Sequence, residues 1–202
     1  MFTLTNERQH LLDAAYCFSF DEPIEDDTIR YEQLHMFLNV FPEKIQAAIQ
    51  AQTLFKQKDL MQQFQAWCEH IISTIGVEMD ASYEKREATI QKFSDTGRRI
   101  FSQSLHDAEI LLAEQQGTNF VMLLDTSGGF TVETIVKLTF QQAEFEGKLD
   151  PYYVYDEIIE TDNCFALRIL SSTGYPYVQS TIYFNDVDAE YYYRPSVYVE
   201  PH

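Results

Sequence analysis

Residues 104–147 read SLHDAEILLAEQQGTNFVMLLDTSGGFTVETIVKLTFQQAEFEG, and the chain changes character within this stretch. Before it, apolar residues recur at helical spacing. From here on they alternate or run together, as strands do. Between Leu105 and Leu112 the apolar positions Leu105, Ala108, Ile110 and Leu112 lie close to period 2, which predicts a half-buried strand that opens with His106-Asp107. Gly117-Thr118-Asn119 is a turn signal. Phe120 to Leu124 is a continuous apolar run and predicts a strand covered on both faces. Asp125-Thr126-Ser127-Gly128-Gly129 interrupts it. Strand character resumes from Thr131 to Phe145 with Val132, Ile135, Val136, Leu138 and Phe140. Strand, turn, strand, turn, strand predicts an antiparallel meander.

Working upstream, five helices are expected. The first covers Asn6 to Ser19 behind a Thr5 N-cap and stops at Asp21-Glu22-Pro23. The second runs from the Asp26-Asp27-Thr28 cap to about Asn39, and the third follows Pro42 with Ile45, Ala48 and Ile49 inward. The fourth starts near Asp59, carries Leu60, Phe64, Trp67, Cys68, Ile71 and Ile75, and ends at Gly76. A thinner pattern predicts a fifth from about Asp80 to Gln103, loosened at Gly97. Working downstream, Tyr152 to Glu160 reads as strand or short helix. Cys164 to Leu170 and Tyr177 to Phe184 read as strands, and Gly174-Tyr175-Pro176 as the turn between them. Val187 to Tyr193 reads as an edge strand, ahead of a tail from Arg194 that holds Pro195 and Pro201. The fold class expected is α+β, an N-terminal helical bundle followed by a C-terminal antiparallel β domain.

Charge supports a boundary near 104, giving domains 1–103 and 104–202. The chain carries a net charge of −18, of which −6 falls on residues 1–104 and −12 on 105–202. Ten of the thirteen tyrosines lie in the second part. Acidity of this size repels phosphate backbones and anionic lipid, so neither nucleic acid nor membrane is an expected partner. A basic protein is. Cys17, Cys68 and Cys164 are far apart and form no Cys-x-x-Cys pair, which argues against a disulfide framework or a zinc site. The N-terminus shows no signal-peptide pattern and no run approaches a membrane span, so a cytoplasmic location is expected.

Three groups of residues are candidates for function. His106, Asp107 and Asp125 are candidate catalytic or metal-binding groups, with Ser127-Gly128-Gly129 as a nest for an ion. In a strand, however, His106 and Asp107 point to opposite faces. Asp125 also suits a hairpin turn in which it accepts amide hydrogens. Asp156-Glu157 with Glu160 and Asp162 is a candidate acid–base set. Tyr152, Tyr153, Tyr155, Tyr175, Tyr177, Tyr191, Tyr192 and Tyr193 are candidates for a contact surface, since tyrosine offers rigid area with a polar tip.

The combination Leu-His-Asp-x-x-Ile at 105–110, Leu-Leu-Asp-x-Ser-Gly-Gly-Phe at 123–130 and Tyr-Asp-Glu-Ile at 155–158 resembles a family of uncharacterised bacterial proteins, mostly from Gram-positive species. The resemblance covers the C-terminal half. It implies a helical N-terminal part and a β-rich C-terminal part, and supplies no activity. Through the Leu-His-Asp strand the chain is also similar to small immunity proteins that neutralise secreted bacterial toxins. His-Asp alone resembles the all-helical HD-type metal phosphohydrolases, which require further ligands on neighbouring helices.

The leading expectation is a protein-binding module without enzymatic activity or cofactor, one version being an immunity-type inhibitor of a basic partner. The alternative is a divalent-metal-dependent hydrolase using His106, Asp107 and Asp125. An acidic mimic of nucleic acid is a third reading.

Overall fold

The computed structural model describes residues 2–17, 27–131, 134–174 and 176–193. The expected stop at Asp21-Glu22-Pro23, the Asp26 cap, Val132, Tyr175 and the tail from Arg194 lie outside these residues. The fold is α+β: helices occupy the first half, and an eight-stranded antiparallel sheet the second. Contacts divide the chain into two compact units, parting between Leu4 and Thr5 and again between Ala81 and Ser82.

In the helical unit, α1 (Asn6–Tyr16) starts behind Thr5, whose side chain accepts the Arg8 amide at 3.3 Å. The other helices are α2 (Asp27–Met36), α3 (Glu43–Gln50) and α4 (Lys58–Ile71). Leu34, Phe37, Phe41, Ile45, Ile49, Leu54, Phe64 and Cys68 form its core. Phe41 meets Phe64 and Trp67 edge-on at 5.5 and 5.2 Å, a preferred aromatic geometry. Burial pushes the thiols of Cys17 and Cys68 up to about 12, so both stay protonated near neutral pH. Gly76 does not end α4. The backbone widens over Ile72–Gly76 and continues into α5 (Val77–Ile90).

The expected helix over 80–103 is interrupted. After α5, Ser94 caps a separate α6 (Asp95–Phe101) by accepting the Gly97 amide at 3.1 Å. These later helical turns pack with the sheet, so the units part at Ala81/Ser82, ahead of the change in composition near 104.

The strands are β1 (Ala108–Gln116), β2 (Asn119–Asp125), β3 (Ile135–Gln141), β4 (Glu144–Gly147), β5 (Tyr152–Glu160), β6 (Phe165–Ser172), β7 (Val178–Phe184) and β8 (Asp186–Tyr192). The single strand expected over 131–145 is thus two. The chain turns at Gln142, where φ is +48°, and β4 pairs with distant β7. Strand order is β4-β7-β6-β5-β1-β2-β3-β8. The meander expected from the central stretch is present as β1-β2-β3, while β5-β6-β7 form a second three-stranded run, and the two runs join between β5 and β1 through Ala108–Tyr153 and Glu109–Tyr152. Inward residues of all these strands except β4 meet α5 and α6 in one core. It includes Ile90, Phe101, Met122, Leu138, Phe140, Ile158, Ile169, Ile182, Phe184 and Val187. Phe145 of β4 packs at its border.

Two features lock this unit. The first is the seat of α6 on β8. A Cβ on Gly97 would stand 2.2 Å from the Val187 carbonyl oxygen, so the backbones approach as only glycine allows. The Ser94 hydroxyl donates to that carbonyl at 2.6 Å, and the Ala189 amide donates to Thr96 Oγ1 at 3.0 Å. The second is a pair of carboxylates on β5. Asp156 Oδ1 accepts from Arg86 Nε at 3.1 Å, and Oδ2 from the hydroxyl of Tyr153 at 2.9 Å. Arg86 also donates to the Phe101 carbonyl at 2.6 Å, satisfying the end of α6. Burial works against the Arg86 charge, but Asp156 together with Tyr153 and Tyr83 outweighs it and holds the guanidinium above its ordinary value. Burial likewise pushes the Tyr153 phenol well above its ordinary value. Glu157, on the other face, accepts from the amides of Thr3 and Leu4 at 2.8 and 2.6 Å and from the Ser82 hydroxyl. Among the described residues no helix is long and apolar enough to cross a membrane.

Two substitutions test these locks in guanidinium unfolding. Glu157→Ala leaves the buried Leu4 amide and the part-buried Thr3 amide without an acceptor and should cost about 3 kcal/mol. Gly97→Ala forces backbone apart at β8 and should cost about 2 kcal/mol. A variant that unfolds at the wild-type midpoint would refute the lock it removes.

Candidate functional site

His106 and Asp107 do not open a strand. They form a turn between Leu105 and the start of β1 at Ala108. Asp107 has φ +68°, a region that aspartate tolerates better than most residues, and its amide donates to the Tyr153 carbonyl at 2.9 Å. This conformation brings the two side chains together instead of splitting them across a sheet. His106 Nδ1 lies 2.9 Å from Asp107 Oδ1. The two atoms lie close without forming an aligned hydrogen bond, and Nδ1 is buried.

The surroundings of His106 come from the other segments whose residues stand out in the sequence. Its ring is edge-on to Phe130 at 6.0 Å and to Tyr155 at 5.4 Å. Tyr155 in turn meets Tyr177 edge-on at 5.8 Å. Gly129 sits so close that a Cβ there would stand 2.7 Å from the His106 carbonyl oxygen. Hence Leu-His-Asp, Gly-Gly-Phe and the tyrosine of Tyr-Asp-Glu-Ile converge on one spot. Phe130 is 69% exposed, the most exposed large apolar side chain among the described residues. Beside His106 and Tyr155 lies a cavity of about 250 Å³, also lined by Tyr83, Arg86, Ser104 and Asp156.

The remaining candidates separate. Asp125 ends β2, and its Oδ1 accepts from the amide and the hydroxyl of Ser127 at 2.9 and 2.5 Å, which shapes the turn. Among the described residues no three His, Cys, Asp or Glu side chains gather to hold a metal ion. Asp156 and Glu157 face opposite sides of β5 and are taken up by Arg86 and by the amides of Thr3 and Leu4. That occupation and separation oppose a shared acid–base role. Tyr153 is fully buried and cannot serve as contact surface; Tyr177 is nearly so. Tyr191 packs under the Arg99 guanidinium at 4.5 Å and donates to the Thr96 carbonyl. Tyr152, Tyr192 and Tyr193 are exposed.

Chemically, the cluster offers one imidazole beside a carboxylate, in an aromatic setting with an exposed apolar tip. Among the described residues the serine that meets His106 is Ser104, whose hydroxyl accepts from the His106 amide at 3.3 Å. Neither Phe130, which the sequence shows only as the end of a motif, nor Tyr83 was among the candidate residues. Phe130 had a signal: an aromatic residue directly after paired glycines, in a turn where strand burial is not expected.

A thermal-shift series with Mg²⁺, Mn²⁺, Zn²⁺ and Ca²⁺ tests the metal reading directly. Ligand at about a hundred times its dissociation constant adds roughly 2.7 kcal/mol to stability. The expected outcome is an unchanged Tm with every ion. A rise of several degrees that His106→Ala abolishes would restore the hydrolase.

The family comparison extends further than the three motif segments. A family model described as a protein of unknown function, DUF4085, matches residues 21–184. That span takes in helices as well as strands, so the likeness is broader than the C-terminal half. No curated protein and no solved structure matches the chain. With most of its length inside the match, the chain belongs to the DUF4085 family of proteins of unknown function.

Proposed function

We propose that the chain is a protein-binding module without enzymatic activity, whose contact face is built around Phe130, His106, Tyr155 and Tyr152. The observation that carries this is the placement of Phe130. Its ring stands 69% exposed on a turn pinned to His106 by the close approach of Gly129. An aromatic side chain held out on a fixed turn is suited to anchor an interface, since little side-chain freedom is lost on binding. Tyr152 is 49% exposed and pairs with Glu109, next to the same turn.

The net charge of −18 favours a basic partner, and an immunity-type inhibitor is one version of this reading. The reading sets the chain in the cytoplasm, where its three free cysteines stay reduced. A metal hydrolase has less support, because Asp125 is engaged in its own turn.

Affinity capture with the full chain as bait tests the proposal. The wild type should retain a stoichiometric basic partner at low salt and release it as salt rises. Phe130→Asp should weaken retention about tenfold or more. Absence of any stoichiometric partner at low salt would overturn the reading, and so would retention unaffected by Phe130→Asp.

A further inference from the structure

We propose that β1 accepts an extended, basic segment of another protein as an added strand along its open edge from Leu111 to Gln116. This deepens the binding reading above and rests on it.

The strand order ends at β4 and β8, and a further unpaired stretch lies within it, on the β5 side of β1. Beyond β8, Ser94 and Thr96 bond the Val187 carbonyl and the Ala189 amide, so that edge is covered. β1 differs. Its pairing with β5 stops after Ala108 and Glu109, and the Ile110 amide makes a last bond to the Pro151 carbonyl at 2.6 Å. From Leu111 on, its only paired neighbour among the described residues is β2. Every residue from Leu111 to Gln116 is exposed.

The phase of the ladder identifies the groups on offer. Gln116 and Asn119 flank a two-residue turn, which makes them a hydrogen-bonded pair. Alternation then gives Glu114–Val121 and Leu112–Leu123 the same character. Ala113 and Gln115 lie between them and turn their N–H and C=O groups away from β2. An incoming strand needs such a row of free backbone groups.

Three further observations define the occupant. Leu111 and Leu112 are 46% and 40% exposed at a bulge, an adjacent apolar pair on the open stretch of β1. Beside the edge runs a cavity of about 410 Å³, lined in part by Ile110, Phe120, Phe145 and Leu149. Phe120 and Phe145 stack in its wall at 4.6 Å. It gives alternate apolar side chains of an added strand a place to lie. Charge is one-sided: Glu109 and Glu114 lie on β1, Asp150 lines the cavity, and Glu144 and Glu146 flank Phe145, against Lys148 alone in segment 144–151. A second copy of the chain fits poorly. Antiparallel self-pairing that sets the free groups of Ala113 against those of Gln115 places Glu114 against Glu114, between two bodies of net charge −18. A segment alternating basic and apolar residues meets both the charge and the groove.

The test uses the ¹⁵N-labelled full chain and a synthetic Lys-Val alternating peptide of about eight residues, the length of an ordinary strand. An alternating Glu-Val peptide is the control. The Lys-Val peptide should slow hydrogen exchange at the Ala113 and Gln115 amides about tenfold or more, with affinity falling as salt rises. Ala113→Pro removes an outward N–H while leaving the β1–β2 bonds intact, and should abolish the protection. The double variant Glu109→Lys, Glu114→Lys alters only exposed charge and should weaken binding about tenfold even if the proline variant fails to fold.

Binding without slowed exchange at these amides would overturn the proposal, as would equal binding of the Glu-Val peptide. Protection already present in a dimer of the free chain would assign the edge to a second copy and overturn it too. If the captured partner tolerates Ala113→Pro and no peptide protects the edge, strand addition falls while the binding module stands. If neither partner nor peptide binds, both fall.

Discussion

A carboxylate taken out of water costs several kcal/mol unless donors meet it, and β5 buries two in succession. Asp156 turns toward Arg86 and the Tyr153 hydroxyl, and Glu157 toward the amides of Thr3 and Leu4. Each arrangement fixes something beyond itself. Arg86 can reach Asp156 only if α5 lies along β5, and its second bond, to the Phe101 carbonyl, fixes where α6 ends. Glu157 draws residues from the far N-terminal side of the helical unit onto the sheet unit, where the Leu4 carbonyl also accepts from Arg168 at 3.1 Å and Phe2 lies under its guanidinium. The sheet unit is therefore assembled from two separated pieces of sequence, with Thr5 to Ala81 between them.

Once α6 is placed, the rest of the core follows. Gly97 lets its backbone touch β8, and Ser94 caps the helix while bonding the strand. One hydroxyl thereby completes a helix end and covers a sheet edge. The same economy is absent at β1, where the polypeptide turns away along Lys148 to Pro151 and leaves backbone groups toward solvent. Edges differ in stickiness according to what stands beside them, and the contrast between β8 and β1 separates a structural edge from an available one.

Much of this was legible in the sequence. Period-2 and continuous apolar runs located β1, β2, β6, β7 and β8 to within a few residues, and the helical stripe of α4 picked out Phe64 and Cys68 as core. The misses have identifiable causes. Leu105 fits the period of β1 but is buried in a turn, because the left-handed conformation at Asp107 is not written in hydrophobicity. Gly97 read as a weak point in a long helix, since only the tertiary fold shows the strand it must admit. The break between β3 and β4 at Gln142 lacks glycine or proline, the residues that usually mark one. At the site, His106 and Asp107 were recognisable by type. Their neighbours Phe130 and Tyr155, however, are set by contacts across more than twenty residues of sequence, which spacing does not reveal.

The narrow join between the two three-stranded runs also bears on the order of assembly. Pairings β1–β2, β2–β3, β5–β6 and β6–β7 connect neighbours in sequence, so each run closes short loops. Joining the runs gains only the Ala108–Tyr153 and Glu109–Tyr152 pairs, whereas β3–β8 must close a loop from Gln141 to Asp186. Contacts of that range slow folding. Loop-closure cost thus favours pairing within each run over the β3–β8 closure, which is a contact of the slow, long-range kind.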